Sequence, residues 1–148
     1  MSDTLLSFIP ADPRWQPDRD AADRAVCALR ALAPDDDGIK ATWHDEIMFV
    51  DCGSRFDEVA CPRCDAVLDK HWLGDRLSAV LMKETLTVVV PCCGGEPSLN
   101  DLVYREPCGL ARFDITVWNP GRSLLSEGEL RIVGVSLGHP VRQIMAHY

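Results

Sequence analysis

The chain has 148 residues, 47% hydrophobic and 26% charged, a balance too apolar for a disordered tail and too interrupted for a membrane-spanning helix. With 15 Lys+Arg against 23 Asp+Glu the net charge is -8, so the attraction to phosphate backbones behind general nucleic-acid binding becomes repulsion over most of the surface. These figures predict one soluble domain over residues 1–148 and leave seven cysteines as the unusual count.

In chain order, Leu5 to Ile9 is a short apolar run stopped by Pro10 and Pro13, and predicts a first strand. No positively charged lead-in precedes it and the run is too short for a secretory signal, so the expected compartment is the cytoplasm and no membrane is implied. Asp18 caps a helix whose Ala22, Ala25, Val26, Leu29 and Leu32 form one apolar stripe, with Cys27 expected to pack. Pro34 and the polar turn Asp35-Asp36-Asp37-Gly38 end it. Ile47 to Val50 predicts a second strand. His44-Asp45-Glu46 before it lacks a second histidine at helical spacing and reads as a solvated loop.

Val59 leads into Cys61, and Trp72, Leu73, Leu77, Val80 and Leu81 follow at helical spacing. Thr85 to Val90 is rich in branched residues and predicts a buried strand that delivers Cys92 and Cys93 to its end. Ser98 caps a short helix with Asp101 three residues on. From Leu110 to Trp118 the residues alternate, with Ala111, Phe113, Ile115 and Val117 predicted to face the core. Ser126 and Glu129 have capping-box spacing, but Leu130 to Leu137 suits a helix or a strand, since Ile132, Val133 and Val135 are branched and Gly134 weakens a helix. Pro140 suits the start of a last helix carrying Val141, Ile144, Met145 and Tyr148, with His139 and His147 exposed. The order predicts an α+β fold with flanking helices and a small mixed or antiparallel sheet built near Leu5, Ile47, Thr85 and Ala111.

An odd cysteine count in a reducing compartment argues against a closed set of disulfides and for metal ligation. Cys61-Pro62-Arg63-Cys64 has the spacing that turns two sulfurs toward one ion, and a tetrahedral site needs a second pair. Cys92 and Cys93, after twenty-seven intervening residues, complete the expected set of Cys61, Cys64, Cys92 and Cys93. Two Cys-bearing turns of this kind resemble those of zinc-ribbon and zinc-knuckle proteins, here over about residues 59–95. The resemblance implies structural Zn2+. The further pairing of Cys-Pro-x-Cys and Pro-Cys-Cys-Gly with Ser-Leu-Asn-Asp-Leu is similar to that of small bacterial proteins. Two departures stand out: Asp65 replaces the glycine after the first turn, and Val90 occupies the place of the second turn's first thiol. Adjacent cysteines on an extended strand point to opposite sides, so Cys92 shares the ion only if the chain turns there. Cys108, Cys52 and His71 are the substitutes for it.

Four thiolates leave no open position for water, so the zinc would be structural and embedded in the fold. Gly134-Val135-Ser136-Leu137-Gly138 matches a hydrolase elbow, but no acid follows Ser136. With no catalytic set, the expected function is a non-enzymatic binding or adaptor protein, immunity-like, whose acidic surface meets a basic protein partner. The competing readings are a thiol redox protein or enzyme using Cys61 and Cys64, and a zinc ribbon touching nucleic acid around Arg63 and Arg76.

Overall fold

In a computed structural model the described residues are 3–50, 58–83, 86–105 and 108–148, without the side chains of 80–83. Strand β1 (Thr4–Pro10) leads to helix α1 (Arg19–Leu32), whose N-terminus is capped by the Asp18 carboxylate accepting from the Ala21 N–H at 2.7 Å. Its stripe of Ala22, Ala25 and Leu29 is buried, whereas Cys27 lies on the outer side and is exposed, not packed. Strand β2 (Gly38–Val50) is longer than the four-residue run expected, because the segment from Gly38 to Trp43 already pairs with strand β5 (Gly109–Trp118). The five-residue step from Trp43 to Met48 meets a two-residue step from Phe113 to Ala111, a wide bulge. His44, Asp45 and Glu46 therefore sit within a strand and not in a loop.

The main sheet is antiparallel, in the order β2-β5-β1-β6, where β6 is Val141–His147. This corrects the expected last helix. Val141, Ile144 and Met145 fit either period, and pairing from Thr4↔His147 to Pro10↔Val141 decides for the strand, burying Ile144 and Ala146. His139 and His147 are half-buried: His139 stacks on Trp15 with centroids 4.4 Å apart, and the His147 Nδ1 is 3.0 Å from Thr4 Oγ1. The Thr85 segment is not the sheet's fourth strand. Thr85 itself lies outside the described residues; Leu86, Val88 and Val90 are buried alternately with exposed Thr87 and Val89, but their partners are local. Leu86 O accepts from Leu99 N, and the Val88 and Val90 N–H groups donate to Pro97 O and Gly95 O.

Helix α3 (Glu127–Leu137) settles the ambiguous stretch. Ser126 Oγ accepts from the Glu129 N–H while Glu129 Oε1 accepts from the Ser126 N–H, so two orphan donors are satisfied together. Arg122 grips the same carboxylate with two N–H groups, at 2.9 and 2.6 Å, and donates to Leu32 O at the end of α1. Capping therefore outweighs the weak helix preference of the branched residues. Helices α1 and α3 cover one face of the sheet over Leu6, Phe8, Phe113, Ile115 and Val117. Ser136 Oγ is turned back onto Ile132 O within α3, far from an exposed elbow.

A second core lies outside the sheet's other face. Strand β3 (Val59–Ala60), helix α2 (Lys70–Lys83), the 3-10 turn Leu99–Asp101 and strand β4 (Val103–Tyr104) enclose Val59, Cys61, Leu68, Leu73, Val90 and Leu99 against Ile47 and Leu110. Among the described residues no helix is long and apolar enough to cross a membrane.

The Arg122 fork, first, then the Ser126 N–H hold the Glu129 carboxyl down to about 2, below its ordinary 4.5. A depressed folded value stabilises the protein above the unfolded value, and the contribution disappears as pH falls through the folded one. Glu129→Gln should therefore lower the urea midpoint at neutral pH, and the gap from the parent should close between about pH 5 and pH 2. Urea titrations across that range check this; a gap independent of pH would contradict it.

Candidate metal centre

The peptide geometry of two short turns builds the centre. In Cys61-Pro62-Arg63-Cys64-Asp65, the Asp65 N–H donates to Cys61 O at 3.0 Å and the Cys61 N–H to Ala66 O at 2.9 Å. In Val90-Pro91-Cys92-Cys93-Gly94, the Gly94 N–H donates to Val90 O at 3.0 Å and the Val90 N–H to Gly95 O at 3.0 Å. The two turns match residue by residue. Both end in a left-handed residue, with φ of 63° at Asp65 and 71° at Gly94. Asp tolerates that conformation better than branched residues, which accommodates the missing glycine of the first turn. At Gly95 the turns nearly touch: a Cβ there would lie 2.5 Å from Arg63 Cδ.

This arrangement brings all four expected cysteines together. The Sγ atoms of Cys61, Cys64, Cys92 and Cys93 all lie within 4.8 Å of one another. Cys61 and Cys93 are 3.8 Å apart and Cys64 and Cys92 are 3.4 Å apart, too far for disulfides. A tetrahedron with metal–sulfur bonds of about 2.3 Å has edges of about 3.8 Å, so the group has the right size for a metal ion with four thiolate ligands. Cys92 and Cys93 are in a turn instead of an extended strand, which removes the objection that they face opposite ways. Val90, at the position matching Cys61, is fully buried in the second core, and Cys92, at the position matching Arg63, supplies the sulfur in its stead.

Cys61 is buried while the other three are exposed. Desolvation acts to raise the Cys61 thiol, but the Arg63 and Cys64 N–H groups and the neighbouring Cys92 and Cys64 thiols hydrogen-bond to its sulfur and bring it down to about 7. Cys92 moves the other way, to about 12, through desolvation and through sharing its proton with Cys64, Cys61 and Cys93. The thiol protons must leave when a metal binds, so affinity rises with pH.

The substitutes do not join the group. Cys108 is buried beside Ile9 and Ile144, His71 is exposed on α2, and Cys52 lies outside the described residues. Sequence reasoning missed Asn100, a buried side chain whose Oδ1 accepts from the Leu110 N–H at 2.9 Å while its carbonyl accepts from Arg142 Nη1 at 3.1 Å. It pins the cysteine-bearing half to β5 and β6; only its place in a Ser-capped turn hinted at a special role. No protein-family model matches the chain, and no curated protein or solved structure matches it.

The matched turns give a sharp test. Cys92→Ser should weaken metal binding more than tenfold, and Val90→Cys in that background should restore it by placing a thiol at the position equivalent to Cys61. Cys108→Ser should bind metal like the parent. Competition with a chromophoric chelator measures all three; a Cys92→Ser protein with parental affinity would remove Cys92 from the site.

Proposed function

We propose that the protein is a zinc-stabilised, non-enzymatic binding or adaptor protein, with Zn2+ on Cys61, Cys64, Cys92 and Cys93 of a ribbon-like segment. The observation that carries this reading is the convergence of four sulfurs from two matching turns. Four thiolates suit zinc, and they close its coordination shell, which favours a structural over a catalytic ion. When bound, the ion supplies cross-linking energy, on the order of 10 kcal/mol in small zinc domains. The exposure of three thiols fits a reducing compartment, the cytoplasm.

The net charge of -8 supports a basic protein as the partner. At one end of the sheet, Asn119 Nδ2 donates to Asp3 Oδ1 at 3.2 Å and to Asp37 Oδ2 at 2.8 Å, gathering two carboxylates near Asp35, itself beside Gly121. That acidic corner is the docking face in this reading. A charged partner approaches it with an on-rate that falls with ionic strength.

Protein purified without added zinc should contain about one zinc per chain by elemental analysis, with Cys61→Ser and Cys93→Ser losing both the metal and solubility. Capture from a native lysate should yield a basic protein at low salt, and Asp35→Lys with Asp37→Lys should abolish that capture while leaving the zinc in place. A metal-free, folded parent refutes the zinc reading. Capture that ignores salt and both lysines refutes the acidic face.

A further inference from the structure

Beyond the cysteine centre, the part of the sheet's outer face left open among the described residues carries a row of polar side chains. A cavity of about 310 Å3 opens there. Its floor runs across three strands, from Ser7 on β1 through Thr116 and Asp114 on β5 to His44 on β2. Ser7 Oγ lies 3.1 Å from Thr116 Oγ1, Thr116 Oγ1 lies 2.9 Å from Asp114 Oδ1, and His44 Nε2 lies 2.7 Å from Asp114 Oδ2. The wide bulge after Trp43 interrupts β2 at the point where His44 meets this row.

The direction of every proton in the row follows from the carboxylate. Ionised Asp114 only accepts, so Thr116 donates its O–H to Oδ1 and His44 donates its Nε2–H to Oδ2. With the Thr116 proton committed, the contact with Ser7 requires Ser7 to donate to Thr116. All three protons point toward Asp114. The row then offers the cavity the lone pairs of Ser7 Oγ and of the carboxylate, while His44 Nδ1, which has no hydrogen-bond partner among the described residues, accepts in the neutral imidazole and donates in the imidazolium. Among the described residues no Lys or Arg lines the cavity, while Leu5, Met48, Phe49 and Trp118 give it apolar walls.

A floor of acceptor oxygens centred on a carboxylate, under walls that include aromatic rings, selects for a hydrogen-bond donor with a positive charge and an apolar body. An organic anion would meet the carboxylate and unpaired lone pairs, so it is rejected. We propose that this cavity binds a small organic ammonium ion, its N–H groups donating to Asp114 and Ser7 and its hydrocarbon part resting against Phe49 and Trp118. This site is independent of the zinc reading and of the acidic corner.

Three probes of similar shape test it on the full, metal-loaded chain: phenethylamine, 2-phenylethanol and 3-phenylpropionate. In amide shift mapping and calorimetry, phenethylamine should bind and move the resonances of Ser7, Asp114, Thr116 and Trp118. The alcohol should bind about tenfold more weakly and the carboxylate not at all, since a charge-assisted hydrogen bond is worth about that factor or more. Asp114→Asn should lower the phenethylamine affinity at least about tenfold and change that of 2-phenylethanol less than about twofold. Equal binding of amine and carboxylate, absence of amine-induced shifts at these residues, or an amine affinity indifferent to Asp114→Asn would overturn the proposal. If the variant does not fold, the ranking of the three probes on the parent protein decides it.

Discussion

Four sulfur atoms drawn within 4.8 Å of one another mark the place where the two turns of the second core meet. Among the described residues the elements around them are slight: two two-residue strands, a 3-10 turn, one helix and extended arms that bond to each other. Small cores bury little apolar surface against the chain entropy they must fix, which is the usual situation in which a metal cross-link becomes decisive. The other half has no such need. Its ladders join β2, β5, β1 and β6, broken only by the bulge after Trp43 in the pairing of β2 with β5, and its helices α1 and α3 are capped by Asp18, Ser126 and Glu129.

The halves are joined through the sheet's outer face. Leu110 and Ile47 belong to strands of the main sheet yet pack into the second core, and Asn100 satisfies the Leu110 N–H from the opposite side. An unsatisfied N–H at that buried position would cost about 1–3 kcal/mol, so Asn100 acts as a positional lock. The described part of the second core covers only part of the face, and the hydrogen-bonded row from Ser7 to His44 lies beside the cavity on the part that the described residues leave open. One fold thus separates a module built around four clustered thiols from a polar surface built on the main sheet.

Much of this was legible in the residues themselves. The apolar stripe of α1, the alternation of β5 and the two cysteine turns each follow a local period or spacing that needs no partner to be recognised. What could not be read required partners distant in sequence. Val141 to His147 fits a helical stripe as well as a strand, and only the register with Thr4 to Pro10 separates the two. Leu130 to Leu137 suits either period by itself, and the capping box that Arg122 locks decides for the helix. Thr85 to Val90 had the composition of a sheet strand, but the second turn folds back on it before it can reach the sheet. His44 looked like loop because nothing near it in sequence announces Asp114, seventy positions away.

X-ray absorption at the zinc edge, on protein purified without added metal, measures the central contact most directly. Four sulfur neighbours at about 2.3 Å, with no nitrogen or oxygen in the first shell, is the result these turns predict. A shell containing nitrogen or oxygen, or a folded protein with no zinc edge at all, would contradict it.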